Sequence, residues 1–164
     1  MAVQSLEDMF LEELKDVYNA ENQILKALPR MAKKASAPEL RRAFEQHLKQ
    51  TEAQVQRLER VFASLDEKPK GKSCKGMQGI IEEGKEVMSE DIEDDVLDAA
   101  LIAAAQKVEH YEMATYGTLR AWAETLGNQQ AAKLLQQTLE EEEATDKKLT
   151  QLAEQLVNAD AVEA

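Results

Sequence analysis

The chain has 164 residues, 43% hydrophobic and 32% charged, which suits one folded domain with a sizeable core. Its formal charge of −12, from 32 acidic against 20 basic residues, argues against nucleic acid as the main partner, because phosphate binding needs a basic surface, and is compatible with attracting cations. With 6 Gly, 3 Pro and 4% aromatics the composition favours long helices over strands, and the single cysteine, Cys74, rules out an internal disulfide.

The start, MAVQSLEDMFLEELK, has no basic region followed by an apolar core, so no signal peptide is expected. The most apolar run, DAALIAAAQKV, is too short to span a bilayer, and a cytoplasmic protein with no membrane partner is expected.

Four long helices are read in chain order. The first spans about 5–34, with Ser5 as N-cap, Asp8 three residues on, and Leu6, Phe10, Leu14, Val17, Ile24 and Leu28 at helical spacing. Pro29 is expected to kink its end. SAPEL opens the second, about 37–65, with Ser36 as N-cap, Pro38 in the first turn, and Leu40, Phe44, Thr51, Leu58, Val61 and Phe62 inward. The Gly-, Pro- and Lys-rich stretch 66–79 is the one extended break; its basic run KPKGKSCK is expected to be a flexible solvated loop. A short helix follows at about 77–88. The third long helix runs about 92–126 and ends at Gly127. Asn128 caps the fourth, about 128–157, and the tail NADAVEA is expected to fray.

The first and last connections are short, so each flanking pair is an antiparallel hairpin. The middle one is long enough to cross the bundle from end to end. The expected fold is therefore all-α, a single domain over 1–164: a ferritin-like four-helix bundle whose long crossover carries a short fifth helix.

Each long helix also carries a polar interruption on its inward face. Glu21 breaks the stripe Val17, Ile24, Leu28. His47, Thr51 and Gln54 lie between Phe44 and Leu58. Glu109 and Glu112 lie between Ala105 and Tyr116. On the fourth helix Glu143 and Asp146 lie between Leu139 and Leu149, with Glu142 competing for the inward register, while Glu140 and Glu141 should be outside. Charges buried at one level repel each other and lose hydration. Two iron or manganese ions would cancel both effects, and carboxylate and imidazole donors suit them. Other readings stay open residue by residue. Glu21 could sit at the core edge, and His47 could be a hydrogen-bonded core histidine. Glu109 and Glu112 could pair with Lys107 or Arg120, and Thr51 and Gln54 could hydrogen-bond across the bundle.

The segments LEELKDVYNAENQILKALPRMAKKA, FEQHLKQTEAQVQRLERVF, AAQKVEHYEMATYGTLRAWAETLG and LLQQTLEEEEATDKKLTQLAEQL resemble the YciE/YciF family of bacterial ferritin-like proteins, from about Leu6 to Leu156. The resemblance implies a fold related to rubrerythrin, a homodimer, a cytoplasmic stress-response role and a di-metal centre. It places Glu21 as the first-helix glutamate, Glu109 as the third-helix glutamate, and Glu143 with Asp146 where ferritins carry Glu-x-x-His. The second helix departs from the pattern, since Phe44 precedes His47 and Thr51 precedes Gln54 by three residues.

The expected function is a di-iron or dimanganese carboxylate protein reacting with peroxide or dioxygen, as a peroxidase, catalase or ferroxidase. Glu109 and Glu143, or their near neighbours, would bridge the ions, Glu21, His47 and Asp146 would be terminal, and Gln54 and Glu112 would be weaker ligands or would support the ligands from behind. The alternative is a non-catalytic helical dimer acting as a structural or interaction module.

Overall fold

A computed structural model describes residues 2–164. The helices are α1 (Leu6–Lys34), α2 (Pro38–Ser64), α3 (Lys75–Ser89), α4 (Asp94–Thr125), α5 (Gln129–Leu152) and α6 (Asn158–Glu163), with one wider π-turn, Ala153–Val157, joining the last two. No helix among the described residues is long and apolar enough to cross a membrane.

Four long helices form a ring in which α1 packs on α2 and α4, and α5 packs on the same two. Side-chain pairs give the directions. Gln54 meets Glu141 and Gln46 meets Lys148, so α2 and α5 are antiparallel. Asp98 meets Ser36 and Tyr116 meets Glu21, so α1 and α4 are antiparallel and α2 runs parallel to α4. A parallel pair needs a connection as long as the bundle, and residues 65–93, with α3 inside them, supply it.

The helix ends follow local chemistry. Ser5 and Asp8 form a reciprocal capping box at the start of α1. Asn128 caps α5 through Ala131 N–H, and Gly127, at φ 76°, takes the left-handed position that ends α4. At α2 the expected cap, Ser36, does not serve. Ala37 holds the cap position, and the buried Asp98 carboxylate accepts from Ser36 N–H at 2.8 Å and Ala37 N–H at 2.7 Å. A carboxylate from a neighbouring helix thus replaces the local side chain and also meets the positive end of the helix dipole.

α1 runs to Lys34 as expected, with Pro29 inside it. Two further expectations are corrected. The lysine-rich crossover is anchored rather than free: Cys74 is buried, its N–H donates to Asn19 Oδ1, and its Sγ caps α3 through Met77 N–H. Sγ also lies 3.0 Å from the Tyr111 hydroxyl, which donates to Asp16. Gly76 lies so close to the Tyr111 ring that a Cβ there would come within 2.8 Å, so only glycine fits without a shift. The tail is helical to Glu163, and α6 packs against α4.

The core is split. One apolar cluster surrounds Ile24, Leu28, Phe44, Leu101 and Leu149. The other surrounds Phe10, Leu14, Leu58, Phe62 and Leu119. Between them lie the buried polar residues of the bundle interior.

If Asp98 caps α2, Asp98→Ala should destabilise the fold by about 2 kcal/mol and Ser36→Ala by under about 0.5 kcal/mol in urea unfolding. Equal losses from the two variants would contradict the assignment.

Candidate metal centre

The layer between the two apolar clusters is built from helical spacing. On α1, Glu21 follows Val17 and precedes Ile24 and Leu28 on the buried stripe. On α2, His47 sits one turn after Phe44. On α4, Glu109 and Glu112 lie between Ala105 and Tyr116. On α5 the inward position belongs to Glu142, which is buried, whereas Glu143 is exposed. The expectation for Glu143 is corrected by the seven-residue step Leu135, Glu142, Leu149, which keeps one side of a helix facing the core. That step is visible in the sequence and is the signal that separates the two glutamates.

The side chains meet in two overlapping groups. His47, Glu109 and Glu142 bring three donor atoms within 4.8 Å of one another. Glu21, Glu112 and Glu142 do the same, so Glu142 belongs to both. His47 Nε2 stands 2.8 Å from Glu109 Oε1, yet neither ring nitrogen is aligned for a hydrogen bond. Both oxygens of Glu112 and of Glu142, with Glu21 Oε2 and Glu109 Oε2, are buried without a partner. The other Glu21 oxygen accepts from the Tyr116 hydroxyl.

The open ion-pair readings do not hold here. Lys107 pairs with Glu83 and Arg120 with Glu124, and neither reaches Glu109 or Glu112. Thr51 donates to the His47 carbonyl on its own helix. Gln54 is buried, with Nε2 on Glu141 Oε2 and Oε1 unpartnered. Arg57 grips Glu141 at 2.6 and 2.7 Å, so Glu141, expected outside, is half-buried and ties Gln54 in place. Asp146 is only half-buried, places Oδ2 3.2 Å from His110 Nε2, and belongs to neither donor group.

Burial disfavours charge at these carboxyls. It pushes Glu21 up to about 8, with the neighbouring Glu142 adding to the effect. It raises Glu109 to about 7. Burial and then the surrounding glutamates hold Glu112 well above the usual carboxylate range, and burial does the same for Glu142. A set of buried oxygens and imidazole nitrogens facing each other without donors is the arrangement that a divalent cation satisfies, and the hard O/N donors fit iron or manganese.

A carboxyl with a raised folded-state value stabilises the fold below its unfolded value near 4.5, and that stability is lost as pH rises towards about 7 to 8. The metal-free protein should therefore become progressively less stable between pH 5 and pH 9. Glu112→Gln, neutral at every pH, should flatten that fall. Urea midpoints across the range check this, and a flat or rising profile in the parent chain would contradict it.

Comparison with known proteins agrees with this architecture. A family model described as a domain of unknown function (DUF892) matches residues 5–162. The chain is 49% identical over 162 residues to Protein YciF of Escherichia coli (strain K12), covering 98% of each. The crystal structure of the E. coli stress protein YciF matches with a TM-score of 0.92 at 50% identity, over 95% of this chain and 99% of that one. YcfI of Rhodopseudomonas palustris, provisionally described as a structural protein, matches with a TM-score of 0.89 at 45% identity, over 90% of this chain and 94% of that one. A two-domain protein of Anabaena variabilis that contains a ferritin-like domain matches in fold alone, with a TM-score of 0.67 at 18% identity over 95% of this chain and 39% of that one. The bundle is ferritin-like, and the chain belongs to the YciF (DUF892) family.

Proposed function

We propose that this chain is a di-metal carboxylate protein of the bacterial stress response, holding two iron or manganese ions. One position uses His47, Glu109 and Glu142; the other uses Glu21, Glu112 and Glu142, with Glu142 shared. The observation that carries this reading is the set of buried, unpartnered carboxylate oxygens on three helices, none of which pairs with a lysine or arginine among the described residues. The stress role is supported by the description of E. coli YciF as a stress protein.

When bound, such a pair of ions supplies electrons to peroxide or dioxygen at one place. The chain's own residues prepare that place. The Tyr116 hydroxyl fixes one Glu21 oxygen and leaves the other free. The Arg57–Glu141–Gln54 strap holds the Gln54 amide in one orientation, with Oε1 free in the interior as a neutral donor. Asp146 sits at the edge of the layer, with Oδ2 facing His110 and Oδ1 buried without a partner. The two apolar clusters above and below keep the donor residues buried. The family resemblance also carries a cytoplasmic homodimer.

A second reading, a structural protein without turnover, is favoured by the description given to R. palustris YcfI. Metal content and peroxide consumption separate the two. Purified without chelator and reloaded with ferrous or manganous salt, the chain should hold about two ions. His47→Ala and Glu21→Ala should each lower that to about one, Glu142→Ala should abolish both, and Glu143→Ala should change nothing. Peroxide consumption by the loaded parent, absent from Glu142→Ala, supports an enzyme. Metal binding without consumption supports the structural reading, and no metal in the parent rejects the di-metal centre.

A further inference from the structure

A cavity of about 150 Å³ opens into the apolar cluster on one side of the His47–Glu109 pair, and both of these residues line it. Its walls are Ile24, Leu28, Phe44, Leu101 and Val108 from three of the long helices, closed over by Ile80, Ile81 and Met88 around α3. Small side chains make the space: Ala27, Ala43, Ala104 and Ala105 stand where larger residues would fill it, and α3 presents Gly84. A cavity of this size in an apolar wall accepts a benzene-sized body.

Its charged lining runs against the composition of the chain. In a protein of formal charge −12, the lining holds Arg30, Lys85 and Lys148, and its one acid is the inner Glu109. Arg30 and Lys85 are exposed and form no ion pair among the described residues. Lys148 is held only by a hydrogen bond to Gln46. Unpaired cations beside an apolar pocket match a ligand with an apolar body and an anionic head.

We propose that this pocket binds a small organic monocarboxylate, with a short alkyl chain or single ring inside and its carboxylate between Arg30 and Lys85. Binding stands on the pocket alone.

The test titrates hexanoate, 1-hexanol and hexylammonium into the full chain, metal-free and metal-loaded, following the methyl resonances of Met31 and Met88, which both line the pocket. Hexanoate should shift both resonances saturably in either metal state and bind at least about tenfold more tightly than hexylammonium. Arg30→Glu with Lys85→Glu should weaken hexanoate by about tenfold and leave 1-hexanol unchanged. Ala105→Leu should fill the pocket and remove hexanoate and hexanol binding. Gly84→Leu is an independent plug, since an added Cβ there meets only Ala104 Cβ at 3.8 Å. Hexanoate binding in a chain that takes up no metal would reject the di-metal centre and keep this proposal. Three results would overturn it: no saturable shift below about 10 mM hexanoate, as expected if a second copy covers the opening; hexylammonium binding as tightly as hexanoate; or undiminished binding in a folded plugged variant.

Discussion

The interior of this bundle is organised around one constraint: Glu21, Glu109, Glu112 and Glu142 converge at one depth, away from water, and among the described residues the one basic side chain beside them is the His47 imidazole. Carboxyl groups lose several kcal/mol of hydration when buried, and their mutual repulsion adds to that. A fold keeps such a layer only if the groups stay protonated or if cations lie among them. The rest of the architecture is what makes either state tolerable. Two separate apolar clusters, one on each side, provide the burial that offsets the layer.

The long crossover shapes the surroundings of this layer. Because α2 and α4 run parallel, the chain must travel the bundle's length between them. That travelling segment is not idle. It seals Cys74 against Tyr111 and lays α3 over the cavity next to His47 and Glu109. Asp98, at the start of α4, then joins the crossover's far end to the α1–α2 turn by capping α2. The polar layer, the cavity and the cap therefore depend on one chain path.

Much of this was legible in the sequence for identifiable reasons. Ser5, Gly127 and Asn128 act through contacts with residues next to them in the chain, so their roles could be read locally. Glu21, His47, Glu109 and Glu112 interrupt otherwise apolar stripes, and periodicity places them inside. Glu142 was harder, because four consecutive glutamates blur the register and only the seven-residue step from Leu135 to Leu149 resolves it. Ser36 misled for a different reason: Asp98, 62 residues away, supplies the cap, and nothing beside Ser36 announces it. Cys74 and Asp146 likewise owe their surroundings to other helices, Cys74 to Tyr111 and Asp146 to His110.

The most direct measurement is anomalous X-ray scattering at the iron and manganese edges, from crystals of the chain grown with each metal. Two peaks should appear, one among His47, Glu109 and Glu142 and one among Glu21, Glu112 and Glu142, with the Glu142 carboxylate between them. Anomalous density confined to exposed acids such as Glu140 and Glu143, with the interior carboxyls unchanged, would contradict a metal centre in this layer.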